Sequence, residues 1–167
     1  MKMNQFQIEK LLRDSIHELF IKDSIFMSEE YDIHERTVAH RLAIYIEKRF
    51  PEYHVDVEYA RSRESYGTDD IGNIIGKRLP LENIKDENNY RYVYPDIIIH
   101  KRDKQENLVE IELKFGWKNK EKEYDLLKIN EYIEQLGYQF GVYIELAEKE
   151  KDCKIEFGPF LKKTSNL

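Results

Sequence analysis

Ile97-Ile98-Ile99 most narrows what this chain can fold into. Successive side chains of a strand point to opposite faces, so an apolar residue at every position predicts a strand buried on both. Such a strand sits inside a sheet, with further structure packed over each face. A neighbour follows at once. Residues 92–100 and 108–115 both read as strands, joined by the polar hairpin turn 101–107.

Helical periodicity supplies the covering layers. Ile8, Leu11, Leu12, Ile16, Leu19 and Phe20 form one apolar stripe, with Glu9, Lys10, Arg13, Asp14 and Glu18 outside it. The pattern breaks over 24–31. A second helix is predicted from about 32 to 49, with Val38, Leu42, Tyr45 and Ile46 inward and Pro51 closing it. Alternation over 54–61 reads as a strand, followed by a long polar connection over 62–91 that carries Gly67, Gly72, Gly76 and Pro80 and a short turn of structure near 71–75. A third helix is predicted over 121–136, its stripe formed by Tyr124, Leu127, Ile129 or Lys128, Tyr132, Ile133 and Leu136, with Gly137 as its C-terminal cap. Strands at 138–146 and 153–157 complete the order. The expectation is one α/β domain over 1–167, an α+β mixed sheet with an N-terminal helical extension over 1–30 and a loop insertion over 62–91.

Composition limits the function. Charged residues make up 36 % of the chain and apolar residues 41 %, which reads as a soluble globular protein. No apolar run is long enough to span a bilayer and the amino terminus lacks a signal-like apolar core, so a cytoplasmic location is expected and no membrane partner. With Cys153 alone, no internal disulfide and no cysteine-based zinc site can form; Cys153 reads as a small residue at a strand start. A net charge of −6 argues against non-specific coating of nucleic acid, but not against a site built on carboxylates and a cation.

The candidate site lies on the two apolar strands. Asp96 stands at the mouth of the isoleucine strand, and Glu112 and Lys114 share one face of the next, with Ile111 and Leu113 on the other. If these strands pair, Asp96 meets Glu112 and the two carboxylates can hold a hard divalent cation. Lys114 beside them can steer a water or stabilise developing negative charge. That combination suits metal-assisted phosphodiester hydrolysis.

Pro95-Asp96 followed by Glu112-Leu113-Lys114 resembles the PD-(D/E)xK nuclease superfamily, and the order of elements over 32–146 is similar to its core. His34-Glu35-Arg36, His40-Arg41-Leu42-Ala43 and Val55-Asp56-Val57-Glu58-Tyr59 look like stand-alone bacterial members. The resemblance implies a restriction-endonuclease-like αβββαβ core with one extra N-terminal helix. It also implies a Mg²⁺-dependent nuclease, Mn²⁺ substituting, acting on nucleic acid, with DNA the expected substrate. Asp96 and Glu112 would hold the metal, helped by Glu35 and the carbonyl of Leu113, and Lys114 would serve the attacking water. Cleavage would leave a 3′-hydroxyl and a 5′-phosphate.

Other residues carry two readings each. Asp32-Ile33-His34-Glu35 fits a capping box, in which Glu35 reaches back to the backbone of Asp32; it is also the position where the superfamily's first core helix supplies a further acid. Glu110 shares the face of Glu112 but reads as a solvated residue at the strand start. Asp56 and Glu58 are strand acids, Glu58 the better placed to approach the metal. Arg41, with His40, is a candidate phosphate contact or a solvated helix residue. Lys128 and Gln139 are candidates for outer contacts to metal or phosphate, and Tyr90, Tyr92 and Tyr94 for stacking on bases. Double-strand cleavage would favour a homodimer, for which the first helix is available. The alternative function is a non-catalytic nucleic-acid-binding or assembly module on the same fold. No nucleophile elbow, Gly-rich phosphate loop or His-Glu-x-x-His supports another hydrolase.

Overall fold

Ile97, Ile98 and Ile99 are all fully buried, as the unbroken apolar run predicts. A computed structural model describes residues 3–58, 78–79, 91–92, 94–102, 104, 106–118 and 122–160, with 78–79 and 91–92 described through their backbone. The isoleucines lie in β4 (Ile97–Lys101), between β1 (His54–Val57) and β5 (Glu106–Phe115). Beyond β5 come β6 (Phe140–Leu146) and β7 (Lys154–Phe157), giving a five-stranded sheet in the order β1-β4-β5-β6-β7. All neighbours are antiparallel except β5 and β6, which run parallel. A parallel pair needs a crossover, and α3 (Lys122–Leu136) provides it. Two short strands, β2 (Arg78–Leu79) and β3 (Arg91–Tyr92), pair separately. The rest of the long connection predicted over 62–91 lies outside the described residues, as do Tyr90 and the side chain of Tyr92.

Strand alternation assigns each face its own layer. Ile97, Ile99, Val109, Ile111, Leu113 and Phe115 join one apolar cluster with α1 (Gln5–Asp23) and α2 (Glu35–Glu47). From the helices come Ile8, Leu12, Ile16 and Leu19 of α1 and Val38, Leu42 and Ile46 of α2. The N-terminal helix is therefore part of the core rather than an appendage to it. It starts at a capping box: Asn4 Oδ1 accepts from the Gln7 N–H at 2.9 Å, and Gln7 Oε1 accepts from the Asn4 N–H at 2.9 Å. Glu18 then ties α1 to α2 through Lys48 and Arg49, both at 2.8 Å.

The opposite face is different. Ile98 packs with Tyr132 and Tyr138 in a small apolar cluster under α3. The buried side of α3 is largely polar: Asp125, Lys128 and Asn130 are buried with Ile129 and Tyr132. Ile129, Tyr132, Tyr124, Ile133 and Leu136 of the expected apolar stripe do pack on the sheet, and Asp125, Lys128 and Asn130 are buried beside them. The ambiguity between Lys128 and Ile129 resolves to both being buried.

Local signals set the remaining boundaries. Gly137 has φ +66°, the left-handed cap expected after α3. β1 closes at Val57 with Glu58 left-handed at φ 51°; residues 59–61 of the strand predicted over 54–61 lie outside the described residues. Cys153 is buried just before β7, its Sγ 3.3 Å from the N–H of Ala147, which matches a small residue at a strand start. At Gly141 in β6 an added Cβ would stand 2.3 Å from Ile129 Cγ2 and 3.0 Å from Ile133 Cδ1. Gly141→Ala should therefore push α3 off the sheet and cost about 1–3 kcal/mol by overpacking. Urea unfolding would measure it, and an unchanged midpoint would show that α3 yields freely.

Candidate functional site

The site forms where β4 begins and β5 ends. In the antiparallel register Ile97 faces Ile111 and Ile98 faces Glu110. One step further along puts Asp96 beside Glu112, as strand pairing predicts. Asp96 Oδ2 accepts from the Leu113 N–H at 2.8 Å, which pins the carboxylate to the β5 backbone. By alternation Asp96, Ile98, Glu110 and Glu112 all turn toward α3.

Two lysines enter this group of acids. Lys128 of α3 places Nζ 2.6 Å from Glu112 Oε2 and donates to the carbonyl oxygen of Tyr94 at 3.1 Å. Lys114 places Nζ 3.2 Å from Glu35 Oε2 and 3.8 Å from Asp125 Oδ2. Glu35 reaches the site from the first turn of α2, where its Oε1 also accepts from the Phe115 N–H at 3.1 Å. This placement contradicts the capping-box reading. His34, not Asp32, is the N-cap of α2 and makes no side-chain cap; Asp32 is left-handed at φ 43° and pairs with Lys118. The expected capping box is absent because Glu35 is turned forward to the end of β5.

Burial makes the electrostatics severe. Glu112 is 1 % exposed and Glu110 fully buried. Desolvation pushes the Glu110 carboxyl up to about 7, with Asp96 and Asp125 adding repulsion. Desolvation, then the charge of Asp96, likewise hold Glu112 well above the carboxylate range. Glu110 and Glu112 titrate as one pair, retaining a proton where ordinary carboxylates have lost theirs. Asp96 is also raised by burial, although the Leu113 N–H, Lys128 and Lys114 oppose the shift. Burial alone would lower Lys128, yet Glu112 and Asp96 outweigh it and keep the ammonium charged. Tyr132 and Tyr143 are raised by burial, and their hydroxyls stay protonated beside these acids.

The structure brings together Asp96, Glu112, Lys114, Glu35 and, through its N–H, Leu113. It also adds Glu110 and Asp125. Reading Glu110 as solvated was wrong because β5 is covered by α3 along its whole central stretch. The signal was its shared parity with Glu112; for Asp125 it was the three-residue spacing to Lys128. Lys128 lies inside the site rather than at an outer phosphate-facing position, being 7 % exposed. Other candidates are placed elsewhere. Arg41 is held by Asp23 and the Tyr45 hydroxyl between α1 and α2, and His40 is exposed. Glu58 pairs with Arg36, while Asp56 pairs with His100 and Arg102. Gln139 precedes Phe140, which lies opposite Val109, so it belongs to the opposite end of β5 from Lys114. Tyr94 is exposed.

Among the described residues, no group of three or more His, Cys, Asp or Glu side chains is arranged to hold a metal ion. The acids are interleaved with lysines instead. Their donor set nevertheless fits a hard cation: carboxylate oxygens only, with Glu112 Oε1 and both Glu110 oxygens buried and without a hydrogen-bond partner among the described residues. Comparisons with family models, with curated proteins and with solved structures find no match.

Proposed function

We propose that the protein is a metal-dependent nuclease of the PD-(D/E)xK type, with a restriction-endonuclease-like core and DNA as substrate. The observation that carries this reading is the meeting of Asp96 with Glu112 and Lys114 at adjacent positions of two paired strands. Glu35 arriving from α2 adds a further acid where the resemblance expects one. Asp96 and Glu112 would hold the Mg²⁺, with Glu35 close by. When bound, a divalent cation lowers the pKa of a water and neutralises charge on the phosphoryl oxygens.

The chain's own groups do the rest. The Leu113 N–H orients Asp96. Glu35 and Asp125 hold the Lys114 ammonium at the end of β5, where it can orient the attacking water or stabilise the pentacovalent transition state. In-line attack forms the new P–O bond and breaks the bond to O3′, leaving a 3′-hydroxyl and a 5′-phosphate. The buried face under α3 keeps bulk water away from the carboxylates.

The test is cleavage of supercoiled, linear duplex and single-stranded DNA, with RNA alongside, in Mg²⁺ and in Mn²⁺. Cleavage of DNA that EDTA abolishes is expected. No cleavage of any substrate in either metal would overturn the reading. It would then favour the non-catalytic nucleic-acid-binding module, for which the pairing of Glu112 with Lys128 speaks.

A further inference from the structure

Lys128 is a buried ammonium group placed among the carboxylates that would take a metal. Its Nζ bonds Glu112 Oε2 at 2.6 Å and the Tyr94 carbonyl at 3.1 Å, so one side chain joins α3 to β5 and to the segment leading into β4. Asp96 and Glu110 act on the same ammonium. A lysine serving substrate phosphate would present its charge at the surface; this one is 7 % exposed and turned inward. Its four-carbon stem can withdraw without moving the helix.

We propose that Lys128 is a tethered cation that competes with the divalent ion for the Glu112 carboxylate, and so sets how tightly the protein holds metal. The inference rests on the reading of Asp96 and Glu112 as metal ligands. A dication bound to Glu112 would stand within a few ångströms of the ammonium, in a buried setting where like charges repel strongly. Loading must therefore displace Nζ from Glu112 Oε2 or proceed against it. Either route weakens metal binding relative to a site lacking that charge. Lys128 is on this view a positioning residue, acting through Glu112.

The experiment is Mn²⁺ binding by calorimetry and electron paramagnetic resonance, on the full chain, for the parent, Lys128→Gln and Asp96→Asn. Lys128→Gln keeps a donor for Glu112 and for the Tyr94 carbonyl while removing the charge. Its Mn²⁺ affinity should rise about tenfold or more, the scale of one close buried charge pair. A merely structural lysine would leave affinity unchanged or lower it. Unchanged or weaker binding in Lys128→Gln, with parent binding lost in Asp96→Asn, overturns this inference and leaves the metal reading standing. Absence of Mn²⁺ binding from the parent and from Lys128→Gln alike overturns both. Should Lys128→Gln fail to fold, the parent decides. Nitrogen NMR of its lysine ammonium groups, with Lys128→Arg for assignment, should show the Lys128 signal shift as Mg²⁺ is added. A signal that stays still while metal binds overturns the inference.

Discussion

On the proposed nuclease reading, Asp96→Asn should lower phosphodiester cleavage by about a thousandfold while leaving the protein as stable as the parent, or more so. The two halves of this result have separate causes. Activity falls because an amide oxygen is a much weaker ligand for a hard dication than a carboxylate, and Asp96 is one of the two acids at the strand junction. Stability holds because the amide oxygen can still accept the Leu113 N–H, now made by Asp96 Oδ2 at 2.8 Å. It also removes a carboxylate that burial disfavours and that repels Glu112. Single-turnover cleavage and thermal unfolding on the same preparation would measure both. Cleavage within about tenfold of the parent in a folded variant would remove Asp96 from the chemistry.

The second large effect concerns pH. Asp96, Glu110 and Glu112 all have folded-state pKa values raised above their ordinary values, chiefly by burial. Between the ordinary carboxylate range and about 7, where Glu110 titrates, the native state retains protons that the unfolded chain has released. The contribution of these acids is therefore full below the ordinary range and is lost as pH rises through their folded values. The loss belongs to the Glu110–Glu112 pair together and is on the order of a few kcal/mol, the Glu110 carboxyl being pushed up to about 7. Metal-free protein should thus unfold more easily at pH 8 than at pH 5. Asp23 and Asp56 have the opposite sign: hydrogen bonds from Tyr45 and Arg41 hold Asp23 low against its burial, and Arg102 and His100 hold Asp56 low, so their contribution is lost as pH falls through those lowered values. The stability maximum is expected within the ordinary carboxylate range, about pH 4, with a decline already under way at pH 5. Glu110→Gln should flatten the decline toward pH 8 and raise stability there, since it removes one acid of the buried pair and its amide can donate to Glu112 Oε1. Urea unfolding at both pH values tests this. A parent whose stability climbs from pH 5 to pH 8, or a Glu110→Gln variant no firmer at pH 8, would show that these carboxyls ionise freely.

Much of the architecture was legible along the chain. Ile97-Ile98-Ile99 announced a doubly covered strand, the stripe from Ile8 to Leu19 announced the first helix, and Gly137 announced the stop after the third. Each depends on a period or a backbone preference acting over a few residues. Parity brought Asp96, Glu112 and Lys114 to one face for the same reason. The capping-box reading of Glu35 was excluded only in three dimensions, since a first-turn glutamate can satisfy its own helix end or turn away from it. The Phe115 N–H, within reach of the Glu35 carboxylate, drew it away from the helix end.

The sequence by itself determined the elements, their order and the side of each strand on which an acid would stand, because all three follow from local stereochemistry. Tertiary structure decided which of those acids lose water and which cation answers each. Glu110 is buried because α3 lies over it, and Lys128 is internal because the helix turns that residue onto Glu112. Charge on a side chain is written in the sequence. Its energetic consequence depends on the surrounding solvent and on distances between elements far apart in the chain, and these exist only once the sheet and α3 have packed.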